Sequence, residues 1–124
     1  MRLNKLETLI SKLTTQTKDE EIHWKNIGSY FPLKIKHTDF IKRAFRCEDY
    51  KDDVNLYFAE FVMPNFIMSG GEDIDKDFFK LFIVRDGAIL IEIDHDEVDP
   101  EILGMLYQAI DKHNTDLKDF LDDL

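Results

Sequence analysis

The sequence predicts an α+β fold, with an antiparallel sheet of about four to five strands, an N-terminal helix before it and C-terminal helices on one of its faces. Three observations support this class. The chain opens on an amphipathic helical pattern, its middle holds several apolar runs, and its end returns to helical spacing. A length of 124 residues suits one core, so we expect a single domain over residues 1–124.

The first element is predicted as an amphipathic helix over roughly residues 2 to 15. Its apolar side chains recur at intervals of one, three or four positions and are Leu3, Leu6, Leu9, Ile10 and Leu13. The hydroxyl-rich run from Thr14 to Thr17 predicts the end of this helix, because hydroxyl groups compete for backbone hydrogen bonds. The apolar stripe needs a sheet or another helix to cover it.

A short strand is predicted next, over Glu21–Lys25. It places Ile22 and Trp24 on one face and His23 on the other. A loop with a short extended piece follows over residues 26 to 36.

The middle of the chain is predicted to supply further strands. Residues 37 to 50 fit either a helix or a strand by periodicity, and we favour the strand. Residues 54 to 62 are aromatic and β-branched, which predicts a strand covered on both faces. Pro64 then predicts a bulge or an edge position, and Ser69–Gly71 predicts a loop.

The strongest local signal is Asp86-Gly87 between two apolar runs, which predicts a β-hairpin with a type I′ turn. A two-residue turn also predicts the register, in which Val84 faces Ile89, Phe82 faces Ile91 and Ile83 faces Leu90. The face with Phe82 and Val84 is the better core. The second face, with Leu81, Ile83 and Leu90, is too apolar to be exposed to solvent, so we expect a covering structure or a partner there.

The last part of the chain is predicted to form helices. Asp99 has the character of an N-cap, and Pro100 suits the first helical position. Asn114–Asp116 is expected to break or cap this helix before a short terminal one. The predicted buried stripe of the first helix is Ile102, Leu103, Leu106, Tyr107 and Ile110, and that of the second is Leu117, Phe120, Leu121 and Leu124.

The formal net charge is −10, and it is unevenly distributed. Residues 94 to 124 hold ten acidic side chains against two basic ones, a net charge of −8, whereas residues 22 to 46 carry +5. An acidic total disfavours binding to nucleic acid, because neutralisation of phosphates by Lys and Arg supplies most of that affinity. It also disfavours anionic membranes.

The single cysteine, Cys47, excludes an intrachain disulfide and a Cys-rich metal site, and it is expected to be a small core side chain. The N-terminus lacks the apolar core of a signal peptide, and no stretch has the apolar length that spans a bilayer. The expected location is therefore the cytoplasm.

Two segments of the sequence contain residue types that can bind metal ions or transfer protons. Asp73–Asp77 opens like a calcium loop, but Phe78 occupies the required glycine position, which leaves a solvated acidic loop before a strand. His95 lies among carboxylates, although the interpretation we favour is a polar loop leading to Asp99. The other three histidines, His23, His37 and His113, lack the spacing of zinc ligands.

The basic stretch from residue 22 to 46 also interleaves aromatic side chains, a composition found on surfaces that bind single-stranded nucleic acid. The favoured interpretation places the aromatic residues in the core and the basic ones in solvent.

Two segments carry a resemblance. The Ile22–Lys25 element after an amphipathic helix and the Leu106-Tyr107 tail that runs to Leu124 together make the chain similar to small uncharacterised proteins of Gram-positive bacteria and their phages. The resemblance covers about a third of the chain. It implies a bacterial or phage origin and no activity.

The sequence thus favours a non-catalytic interaction protein, expected to be a homodimer or to bind another protein, with no cofactor, metal or small-molecule substrate. One alternative is an acidic mimic of nucleic acid that blocks a basic protein, and another is a metal-dependent hydrolase using His95. The residues expected to make the interaction are Leu81, Ile83, Leu90, Asp116, Asp119, Asp122 and Asp123.

Overall fold

In a computed structural model, which describes residues 2–35, 40–67 and 73–122, the strands form one antiparallel sheet in the order β1-β2-β3-β4-β5. Helices α1 and α2 stand at the two ends of the chain. The predicted α+β class is confirmed. The elements are α1 Arg2–Lys18, β1 Lys25–Gly28, β2 Ile41–Lys51, β3 Val54–Ile67, β4 Asp73–Arg85, β5 Ala88–Ile93 and α2 Pro100–Asp122.

Helix α1 continues through the threonine run that was expected to end it. The hydroxyls of Thr14 and Thr17 donate to the carbonyl oxygens of Ile10 and Leu13, at 2.9 and 2.7 Å, so they bond within the helix instead of competing with it. Thr17 also accepts a hydrogen bond from the indole N–H of Trp24 at 3.0 Å, and both side chains are buried. The helix therefore runs to Lys18 instead of ending at the threonine run.

The predicted strand at Glu21–Lys25 lies elsewhere, because β1 begins at Lys25 and pairs with β2. Trp24 is nevertheless buried and His23 exposed, as expected. The ambiguous segment is a strand from Ile41 onward, and residues 36–39 lie outside the described part.

Strands β3 and β4 are longer than predicted. The register of β3 shifts between Met63 and Phe66, so Pro64 sits in an irregularity, as expected of a proline in a sheet. Asp73–Asp77, expected to be a loop, forms the start of β4, because its backbone pairs with the extended β3. The loop predicted at Ser69–Gly71 lies outside the described residues.

The β4–β5 turn has the predicted type, since Asp86 and Gly87 both have positive φ, 53° and 78°. Val84 faces Ile89 as expected, but a register shift then pairs Ile83 with Ile91. The predicted pairing of Ile83 with Leu90, and of Phe82 with Ile91, is therefore wrong. Leu90 is an extra residue in β5, a bulge that the two-residue turn alone does not reveal.

Both faces of the sheet are covered, one by the two helices and the other by the segment of residues 27 to 35. The face with Leu56, Phe58 and Leu81 packs against the apolar stripes of α1 and α2. The opposite face carries Tyr57, Phe61, Phe82 and Val84 among its core, and the segment of residues 27 to 35 packs against it. The helices are thus the covering structure at the face for which a covering structure or a partner was expected.

Helix α2 is a single 23-residue helix, which corrects the prediction of two helices. The Asn114 amide donates to the carbonyl oxygen of Ile110 at 3.0 Å, so this residue bonds within the helix rather than breaking it. At the other end the N-cap is confirmed, because Asp99 accepts from the backbone N–H of Glu101 at 2.9 Å. No described helix combines the length and apolarity needed to cross a membrane.

Candidate functional site

The outer edge of β5 is the most exposed apolar part of the sheet. Strand β5 is the last in the sheet, so within the described residues no strand pairs with its outer side. Ile89 and Leu90 keep 37% and 52% of their surface exposed, and Ala88 beside them is exposed as well. Soluble proteins commonly protect such an edge with charged side chains, Pro, a bulge or a covering loop. Strand β5 has the bulge at Leu90 and one charged residue, Glu92, but contains neither Lys nor Pro.

The structure separates the three apolar residues that the sequence assigned to one interaction face. Leu81 is fully buried under the helices, which removes it from any surface and corrects its assignment. Ile83 is half-buried and packs against the same core. Leu90 alone is accessible, because the bulge takes it out of register with β4.

Three of the acidic residues assigned to the interaction, Asp116, Asp119 and Asp122, belong to the C-terminal part of α2. Asp122 is exposed in the last turn of the helix. Asp116 and Asp119 belong to the helix at positions whose side chains lie outside the described part, as does the whole of Asp123. Asp111, earlier in α2, forms an ion pair of 3.1 Å with Arg43 of the basic stretch.

A polar cluster that the sequence did not indicate lies between the sheet and α2. Glu60 points to the helix side of β3 and is only 4% exposed. Arg43 is paired with Glu60 across β2 and β3, and its Nε donates to Glu60 Oε1 at 3.2 Å. Its Nη1 donates to Asp111 Oδ1 at 3.1 Å. The guanidinium also lies 5.4 Å from the ring centre of Tyr107. The cluster ties two strands to α2, and its members come from positions up to 68 residues apart.

Tyr107 completes this cluster. Its ring stacks on Phe79 with centroids 4.6 Å apart, and burial, followed by the charge of Glu60, raises the pKa of the phenol to about 12. A hydrogen bond between the phenol and the Glu60 carboxylate acts in the same direction. The neutral phenol is thus a donor to a buried carboxylate, which suits a structural role.

The structure places His95 and Cys47 in different surroundings. His95 is exposed in the loop before α2, with Nε2 3.6 Å from Asp96. Across the described residues, no group of three or more His, Cys, Asp or Glu side chains is arranged to hold a metal ion. Cys47 is buried in the core, and this burial raises the pKa of its thiol.

A groove of about 580 Å³ lies between the C-terminal part of α1 and the outer side of α2. His113 lines it, and Nε2 of this residue is 3.5 Å from Nδ1 of His23. The two histidines are 90 residues apart in the chain, so no sequence motif could have paired them. Glu20 lies on the other side of His113, with Oε1 3.9 Å from Nδ1.

No protein-family model matches the chain, and no curated protein or solved structure matches it. The resemblance to small proteins of Gram-positive bacteria and phages therefore stays a prediction.

Proposed function

We propose that the protein is a non-catalytic interaction module that self-associates through the outer edge of β5. The observation that carries the proposal is a strand edge that pairs with no other strand among the described residues and that carries the exposed Ile89 and Leu90. An edge strand presents unpaired N–H and C=O groups that a second strand can satisfy, and exposed apolar side chains add hydrophobic contact.

A second copy of the chain is the partner that this edge favours. Leu90 lies near the middle of β5, so a twofold axis through this point would bring Leu90 of one copy close to Leu90 of the other. The neighbouring residues Ile89 and Ile91 are also apolar. Because the bulge interrupts the regular edge at Leu90, we expect its side chain to carry most of the contact, with backbone pairing on either side.

The test is the mass of the protein in solution, measured by size-exclusion chromatography with light scattering over a range of concentrations. We expect a dimer for the wild type and a monomer for Leu90→Lys, because a lysine on the edge strand opposes pairing. The matched control is Leu121→Lys, which changes a leucine of similar exposure, 55%, on α2 and should leave the dimer intact.

A wild-type monomer at every concentration would contradict the proposal, as would a dimer that survives Leu90→Lys. Circular dichroism spectra of both variants establish that they are folded. Ile83→Glu is not a suitable variant, because Ile83 packs against the core and its replacement would test stability instead of association.

A further inference from the structure

We propose that His23 and His113 form a binding site for a divalent transition-metal ion such as Zn²⁺, and that Glu20 positions His113 for this role. The site would join the connection after α1 to the C-terminal half of α2. It is remote in the sequence from the β5 edge and independent of the self-association proposed there.

The distance between the two histidine nitrogens suits a shared ion. Nitrogen ligands bind Zn²⁺ at about 2.0–2.1 Å in a tetrahedral arrangement, which places two of them roughly 3.3–3.4 Å apart. Nδ1 of His23 and Nε2 of His113 are 3.5 Å apart, and the rings are tilted by 40° with centroids 5.4 Å apart. This separation is at the outer limit of a hydrogen bond, so the pair gains little from a direct bond between the rings.

The two imidazole ligands indicate which metal ions the site would prefer. Neutral imidazole suits Zn²⁺, Cu²⁺ and Ni²⁺, whereas Mg²⁺ and Ca²⁺ prefer oxygen ligands. Since the described residues offer no set of three or more protein ligands, water completes the coordination shell. The groove beside His113 gives water access to the site.

Glu20 faces the nitrogen of His113 that the ion would not use. Its Oε1 is 3.9 Å from Nδ1, while Nε2 is directed at His23. A carboxylate behind a ligating histidine fixes the tautomer and orientation of the ring and makes the other nitrogen a better ligand. A small movement of the exposed Glu20 side chain would close this hydrogen bond when an ion binds.

The backbone at Glu20 supports a role for its side chain. The N–H groups of Glu20 and Glu21 bond to the carbonyl oxygens of Thr17 and Gln16, which is the Schellman arrangement at the end of α1. Glu20 occupies its left-handed position, with φ 60°, where glycine is the usual residue. The chain keeps a carboxylate at a position where its backbone is strained.

The first experiment titrates the full-length, chelator-treated protein with zinc chloride by isothermal calorimetry. We expect one ion per chain and a rise in Tm with Zn²⁺ but not with Mg²⁺. His23→Ala and His113→Ala should each weaken binding at least tenfold, while the matched control His95→Ala, at an exposed histidine elsewhere, should bind like the wild type. Absence of binding, or equal loss in His95→Ala, would overturn the site.

The second experiment separates the side chain of Glu20 from its backbone. Glu20→Gly should raise the Tm of the metal-free protein because it relieves the left-handed strain, and Glu20→Gln should not. Both should weaken Zn²⁺ binding about tenfold, since both remove the carboxylate. Nitrogen NMR of the imidazole rings should show Zn²⁺ on Nδ1 of His23 and Nε2 of His113. Unchanged affinity in both Glu20 variants would refute the positioning role, and metal on the other nitrogens would refute the geometry.

Discussion

Glu60 is almost fully buried on the helix side of β3, and the side chains around it explain how a carboxylate is tolerated there. A buried charge without partners costs several kcal/mol, which would be a large part of the stability of a domain of this size. Arg43 supplies an opposite charge at 3.2 Å, and the phenol of Tyr107 supplies a hydrogen bond. The Arg43–Asp111 pair is more exposed, and pairs of that kind contribute only about 0–1 kcal/mol.

Tyr107 makes this cluster sensitive to alkaline pH. Its pKa of about 12 in the folded protein lies above the value of about 10 expected of an unfolded chain. The contribution of the neutral phenol to stability is therefore complete below about pH 10 and is lost as the pH rises towards 12. We expect Tyr107→Phe to lack this part of the alkaline loss, in urea unfolding measured at several pH values. Tyr30→Phe, at a residue 74% exposed, is the control, and an alkaline loss unchanged by Tyr107→Phe would contradict the prediction.

Among the elements, α2 depends on its N-cap, because its first backbone N–H groups have no partner within the helix. Asp99→Ala removes the acceptor of the Glu101 N–H, and we expect a loss of about 1 kcal/mol in the free energy of unfolding, measured by urea denaturation. Asp122→Ala is the matched control, since this acid lies in a last turn that has no basic residue. It should be neutral or stabilising by a few tenths of a kcal/mol. Equal losses in the two variants would show that the cap is not the cause.

Of the two tight turns between neighbouring strands that the structure describes, local sequence predicts one and not the other. Asp86-Gly87 was predictable because glycine adopts positive φ without cost. Asp52 and Asp53 make a second two-residue turn between β2 and β3, also at positive φ, 48° and 64°. No glycine marks it, and the aspartates adopt this conformation because the flanking strands pair on both sides. The bulge at Leu90 likewise depends on strand packing.

For the whole molecule, the net charge of −10 sets the salt dependence of association. Two copies repel one another, and added salt screens this repulsion, so a β5-mediated dimer should tighten as the NaCl concentration rises. Sedimentation equilibrium at low and high NaCl measures this change. A dimer in which the acidic segment of residues 94 to 124 binds a basic surface of the other copy should instead become weaker as the NaCl concentration rises, because salt screens the attraction between opposite charges. A dimer that dissociates in salt would therefore point to the acidic segment and against the strand edge.

The sequence by itself determined the α+β class, the presence of helical structure at both ends of the chain, the I′ turn and the N-cap of α2, because these depend mainly on residues close together in the chain. It did not determine where α1 ends or that α2 is one helix instead of two. Only the tertiary structure decided which sheet face the helices cover, which buries Leu81, and where β5 bulges, which leaves Leu90 exposed. The same holds for the Arg43–Glu60–Tyr107 cluster and the His23–His113 pair. Their members are distant in sequence and meet because strand pairing and helix packing, which are cooperative and long-range, bring them together.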